Sequence, residues 1–135
     1  MDSPRQRVSV LIAEDDDDDF LLTQMAFTEA GFAGPLLRVR DGAELMEFLR
    51  GRQAAESLAG ARLLLLLDLN MPRKDGRVAL AEIKSLPGLR RLPVIVLTTS
   101  DADVDGARAY DLGANSFIKK PPRFEDFVEL MRMVR

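Results

Sequence analysis

Apolar residues along this chain gather into short unbroken runs, separated by longer stretches of mixed character. Val8–Ala13, Leu63–Leu67 and Val94–Leu97 are nearly all apolar, and polar residues follow each at once. Runs of this kind suit parallel strands covered on both faces. Two weaker strands fit at Leu36–Val39 and Ser116–Ile118. Between the strands lie helical patterns. Asp17 to Ala30 is rich in helix formers, with Gly31 as a stop. Leu45, Phe48 and Leu49 fall at i, i+3, i+4 in a second helix ended by Gly51. Ala79, Ile83 and Leu86 fall at i, i+4, i+7 in a third, closed by Pro87-Gly88. A fourth runs from about Asp101 to Leu112 and ends at Gly113. The last carries the clearest stripe, Phe124, Phe127, Val128 and Met131. Gly31–Pro35 and Gln53–Gly60 read as loops. Strand and helix therefore alternate through the chain. Such alternation predicts an α/β fold with a parallel sheet and right-handed crossovers.

The chain has 135 residues, the size of one domain, and 47% of them are apolar. A chain this long buries roughly two-thirds of its unfolded surface, enough for a core without covalent staples. Residues 1–135 are thus read as one domain with no separate output region. Cysteine and histidine are both absent. Disulfides, thiolate or imidazole metal sites, cysteine nucleophiles and histidine triads are excluded with them. With 19 basic against 22 acidic residues, the formal charge is −3. That balance gives no electrostatic case for direct nucleic-acid binding or for an anionic membrane surface. The longest aliphatic run, Leu63–Leu67, is far short of the ~20 residues of a membrane helix. No signal peptide is readable near the start, and a cytoplasmic location is expected. Neither a phosphate-binding Gly-x-x-x-x-Gly-Lys loop nor a Gly-x-Gly-x-x-Gly turn occurs. Asp101-Ala-Asp103-Val-Asp105-Gly106 begins like a calcium loop, but its twelfth position is Leu112 rather than Glu.

In open parallel sheets ligands bind beyond the carboxyl ends of the strands. Glu14 and Asp15 follow the first strand, Asp68 the third, Thr98 the fourth and Lys120 the fifth. Three crowded carboxylates repel one another and call for a cation. Mg²⁺ suits oxygen ligands of this kind and keeps room for waters and phosphate oxygens. Three acids, one magnesium ion and Lys120 leave no net charge. Asp16 offers a competing register for the acid pair; Glu14-Asp15 is preferred because it directly follows Ala13, where the apolar run ends. Asp16 to Asp19 then fall at the start of the first helix, where acids offset the dipole.

The stretch Asp68-Leu-Asn-Met-Pro-Arg-Lys-Asp-Gly76 resembles the phosphoacceptor loop of response-regulator receiver domains. Glu14-Asp15 matches that family's acidic pair, Thr98 its strand-four hydroxyl, and Lys120-Pro121 its strand-five motif. The resemblance spans about Val8 to Val134. It implies a doubly wound (βα)5 flavodoxin-like fold with a five-stranded parallel sheet in the order 2-1-3-4-5. It also implies a two-component phosphorylation switch rather than an enzyme with a diffusible substrate. Asp68 is then the phosphoacceptor, taking a phosphoryl group from a histidine-kinase phosphohistidine. Mg²⁺ is held by Asp15 and Asp68, by the Asn70 carbonyl, and by Glu14 largely through water. Thr98 and Lys120 bind phosphoryl oxygens. Thr98 and Phe117 form the switch, with Phe where many receivers carry Tyr. Pro72, Gly76 and Pro121 shape the loops.

A closer similarity exists to the single-domain regulators that pair with bacterial phytochromes. It is carried by Asp68–Arg77, by Leu80-Ala-Glu-Ile-Lys84, by Val96-Leu-Thr-Thr-Ser100 and by a long Gly51–Gly60 connection. The implied partner is a light-sensing histidine kinase. Receivers also commonly dimerise through the face made by helix four, strand five and helix five. Tyr110, Arg108, Asp111, Arg123 and Glu125 fall there, and a homodimer is expected. Two alternatives stand beside this reading. A haloacid-dehalogenase-like phosphohydrolase also uses an aspartyl nucleophile, but wants a second Asp where this chain has Asn70. A pseudo-receiver would bind partners without phosphorylation, which the complete set Asp15, Asp68, Thr98 and Lys120 opposes.

Overall fold

A computed structural model describes residues 8–59, 62–68, 76–98, 116–119 and 121–134. The described elements are β1 (Val8–Ala13), α1 (Asp17–Glu29), β2 (Leu36–Val39), α2 (Gly42–Ala59), β3 (Arg62–Asp68), α3 (Gly76–Ser85), β4 (Val94–Thr98), β5 (Ser116–Lys119) and α4 (Phe124–Val134). The strands form one parallel sheet in the order β2-β1-β3-β4-β5. This is the order that the resemblance implied. The helix expected over Asp101–Leu112 lies outside the described residues.

Why the central strands carry unbroken apolar runs, rather than alternating, follows from where their side chains go. Successive strand residues point to opposite faces. Leu11, Ala13, Leu65 and Leu67 enter a core with Leu45, Met46 and Leu49 of α2 and Ala79, Leu80 and Ile83 of α3. Val10, Ile12 and Leu66 enter a second core with Ala26 and Phe27 of α1 and Phe127, Val128 and Met131 of α4. Both faces of the central strands are therefore covered, which keeps their middle residues apolar and leaves Ser9, Arg62 and Asp68 toward the ends.

The helix ends follow local chemistry. Asp16 caps α1 by accepting from the Asp19 N–H at 2.9 Å. Asp17, Asp18 and Asp19 occupy its first turn, where the dipole favours acids. Gly31 has φ 87°, the left-handed conformation that ends helices at little cost only for glycine. Asp41 accepts from the Glu44 N–H at 2.8 Å and caps α2 in the same way. Beyond α3, the Lys84 ammonium donates to the Leu92 carbonyl at 2.8 Å and the Arg90 carbonyl at 3.2 Å. It so ties the helix to the turn that feeds β4, and partial burial lowers its pKa.

Several boundaries differ from the sequence reading. α2 does not stop at Gly51 but runs on to Ala59, so most of the expected Gln53–Gly60 loop is helix. Gly51 is exposed, and a Cβ built there would meet nothing within 4 Å, so no contact there demands a glycine. A helical glycine costs only about 1 kcal/mol against alanine. The good helix formers Ala54, Ala55, Glu56 and Leu58 beyond it offset that cost. The long Gly51–Gly60 connection that supported the closer similarity is thus mainly the end of a helix. Secondly, β3 extends one residue beyond its apolar run at each end, making Asp68 its last residue, and β4 and β5 each run one residue further, to Thr98 and Lys119.

Gly34 sits where the chain turns into β2. A Cβ there would collide with the Val8 carbonyl and with the Phe32 ring, whose far edge lies at 2.7 Å. Phe32 is itself packed on Phe27, with ring centroids 5.3 Å apart. Overpacking of this kind costs about 1–3 kcal/mol. Gly34→Ala is therefore expected to destabilise the fold by that amount, read as a lower urea midpoint at unchanged slope. An unchanged midpoint would show that the turn moves aside freely.

Candidate functional site

The register of the sheet builds the site. Ala13 pairs with Leu67, so Glu14 and Asp15 emerge beside Asp68 at the carboxyl end of the two central strands. Ligand oxygens of Glu14, Asp15 and Asp68 all lie within 4.8 Å of one another. Glu14 is buried at 3% exposure, Asp68 is half-buried and Asp15 is exposed. Hard oxygens at this spread can be bridged by one divalent ion with metal–oxygen bonds of about 2.0–2.6 Å. The donor set therefore fits a hard cation.

The acid pair is held in place by its surroundings. The Glu14 N–H donates to the Val39 carbonyl at 3.0 Å. The Glu14 carboxylate accepts from the Asp16 N–H at 3.3 Å. Asp16 is itself the N-cap of α1, and the acids clustered with Asp68 are Glu14 and Asp15. Arg38 of β2 reaches the same corner. Its Nε donates to the Glu14 carbonyl at 3.1 Å, and its Nη1 pairs with Asp17 at 2.8 Å. The guanidinium carbon lies 4.7 Å from the centre of the Phe20 ring. Arg40 also pairs with Asp17, at 2.9 Å. These two arginines, Arg38 foremost, hold the Asp17 carboxyl below its ordinary pKa. The contact is thus fully formed above the usual aspartate range and is lost only as pH falls through that lowered value.

Of the remaining expected site residues, Asn70, Pro72 and Lys120 lie outside the described residues. The backbones of Thr98 and Phe117 are placed, but their side chains lie outside the description. Thr98 ends β4, one residue beyond Leu97, which pairs with Asp68. Phe117 pairs with Val96 in β5. Gly76 opens α3, and Pro121 lies between β5 and α4. The strand-end acids and hydroxyl-bearing residue are thus carried on adjacent strands, as expected. Arg38 was passed over in the sequence. Its one signal is a guanidinium inside the otherwise apolar run Leu36-Leu37-Arg38-Val39.

The family model for the response regulator receiver domain matches residues 10–132. The chain is a receiver domain. Response regulator Rcp1 of Synechocystis is 37% identical to it over 123 residues, which are 91% of this chain and 83% of that protein. The phosphorylated cyanobacterial phytochrome response regulator RcpA has a solved structure similar to this receiver domain. Its TM-score is 0.80 at 38% identity, over 95% of this chain and 91% of that one. RPA3017, a response regulator in red light signaling of R. palustris, gives a TM-score of 0.82 at 36% identity, over 93% of this chain and 90% of that one. Rcp1 has also been solved in a Mn²⁺-bound form, with a TM-score of 0.76 at 36% identity, over 93% of this chain and 90% of that one. The receiver domain is thus a signalling module of two-component systems, with relatives among phytochrome response regulators, and the phosphohydrolase and pseudo-receiver readings gain no support. Among its described residues no helix is long and apolar enough to cross a membrane.

Proposed function

We propose that Asp68 accepts a phosphoryl group from the phosphohistidine of a sensor histidine kinase, and that the acyl phosphate switches the domain's associations. The observation that carries this reading is Asp68 at the end of a central strand, its carboxylate clustered with those of Glu14 and Asp15. A carboxylate oxygen of Asp68 attacks phosphorus in line, the phosphorus–nitrogen bond breaks, and the kinase histidine, protonated on its other ring nitrogen, takes the bonding pair and remains on the kinase as neutral imidazole. Such a reaction asks for positioning and charge neutralisation more than covalent chemistry from the protein. Glu14, Asp15, Asp68 and the Asn70 carbonyl are the groups that would hold Mg²⁺. The ion would supply charge neutralisation at the phosphoryl oxygens. Thr98 and Lys120 are assigned to the phosphoryl oxygens. Thr98 and Phe117 are assigned to the switch, in which the hydroxyl moves toward the phosphoryl group and the ring fills the space it leaves.

Relatives described as phytochrome and red-light response regulators support a light-sensing phytochrome kinase as the partner, and the cytoplasm is the proposed place of action. A homodimer through the Asp101–Leu112 segment, β5 and α4 is the proposed output surface, with Arg123 and Glu125 exposed at its edge. Slow loss of the phosphoryl group to water would reset the domain without any separate substrate.

Intact-mass measurement after incubation with Mg²⁺ and acetyl phosphate tests the reading. A single phosphoryl increment, released by hydroxylamine, is the expected result. No increment from acetyl phosphate or from a phosphorylated phytochrome kinase would overturn it.

A further inference from the structure

We infer that Arg38 is a positioning residue for the metal site: it holds the peptide that joins the two acids of β1. The inference rests on the reading of Glu14, Asp15 and Asp68 as that site.

The Glu14 carbonyl belongs to the peptide linking Glu14 to Asp15, so a hydrogen bond to that oxygen fixes how both carboxylates leave the strand. Arg38 Nε makes this bond at 3.1 Å. On the other side of Glu14, its N–H is held by the Val39 carbonyl at 3.0 Å. Adjacent residues of β2 therefore hold both peptides of Glu14, although β2 supplies no acid of its own to the cluster. The guanidinium is fixed in turn. Its Nη1 is held by Asp17 at 2.8 Å, and the Phe20 ring lies 4.7 Å away. Its planar fork serves two acceptors on different segments at once, which a point charge on a flexible stem does not.

Stability alone does not account for this arrangement. The Arg38 side chain is only 15% exposed, and Nη2 is buried with no hydrogen-bond partner among the described residues. A desolvated donor without a partner weighs against the fold. The groups that Arg38 does satisfy are a carbonyl between the acids and the exposed Asp17. Groups that orient metal ligands from behind typically change metal affinity by about 10–100-fold when removed.

Calorimetric titration of the unphosphorylated domain with Mg²⁺ tests the inference, beside melting in EDTA. Arg38→Lys keeps the charge and loses the fork. Arg38→Met keeps the stem against Phe20 and loses both bonds. Asp17→Asn breaks the ion pair but leaves the bond to the Glu14 carbonyl. Both Arg38 variants are expected to bind Mg²⁺ about tenfold more weakly than wild type, with melting in EDTA nearly unchanged. Asp17→Asn is expected to stay within about twofold of wild type, since that acid is exposed and screened. Wild-type affinity in both Arg38 variants would overturn the inference and leave the metal reading intact. An equal loss in Asp17→Asn would overturn it too, because charge rather than the carbonyl contact would then set the affinity. A loss that tracks a fall in melting temperature would reduce Arg38 to a structural residue. Absence of Mg²⁺ binding in the wild type would overturn the metal reading and this inference together.

Discussion

Asp68→Asn is expected to stay unmodified under conditions that phosphorylate the wild-type chain completely. Asparagine fills the same volume, so the end of β3 and its pairing with β4 through Asp68 and Leu97 need not change. The amide, however, has no anionic oxygen to attack phosphorus, and its nitrogen is a poor nucleophile. Labelling should therefore fall to background rather than merely slow. Intact mass and hydroxylamine sensitivity of the two proteins, run side by side, check this. A phosphoryl group on the variant would move the acceptor to another acid, with Asp15 the first candidate by proximity.

Mg²⁺ is expected to raise the melting temperature by about 10 °C at a concentration one hundred times its dissociation constant. Binding to the folded state alone stabilises by about 2.7 kcal/mol at that excess. For a domain of this size 1 kcal/mol corresponds to about 4 °C. The physical source is the three carboxylates, which repel one another until a cation neutralises them. The same repulsion predicts that Asp68→Asn or Asp15→Asn melts higher than wild type in EDTA and responds far less to Mg²⁺. Thermal melts of all three proteins with and without the ion check both halves. Equal melting of wild type with and without Mg²⁺ would remove the metal from the site.

The sheet and the acid cluster were legible in the sequence for one reason. Strands buried on both faces read as unbroken apolar runs, and their abrupt ends mark where chemistry can emerge. Asp68 stands at such an end, and so do Glu14 and Asp15. The extent of α2 was not legible, because Gly51 reads locally as a stop. An exposed glycine with open space around it is a modest penalty inside a helix, and the residues beyond it decide the outcome. Arg38 was not legible for a different reason. Its role depends on β2 lying next to β1, with Arg38 opposite Ile12 and two residues short of Glu14 in the adjacent strand. No periodicity within β2 reports what the neighbouring strand presents.

The sheet also divides the interior into two chambers that share no side chain among the described residues. The strands part the α1–α4 chamber from the α2–α3 chamber, with β1 and β3 in the middle of the partition. Those strands, β1 and β3, are the ones that end in the acids. A change of charge at their tips is therefore applied at the partition itself. It can reach either chamber without first crossing the other, so one chemical event can be read out on two opposite surfaces of the same small domain.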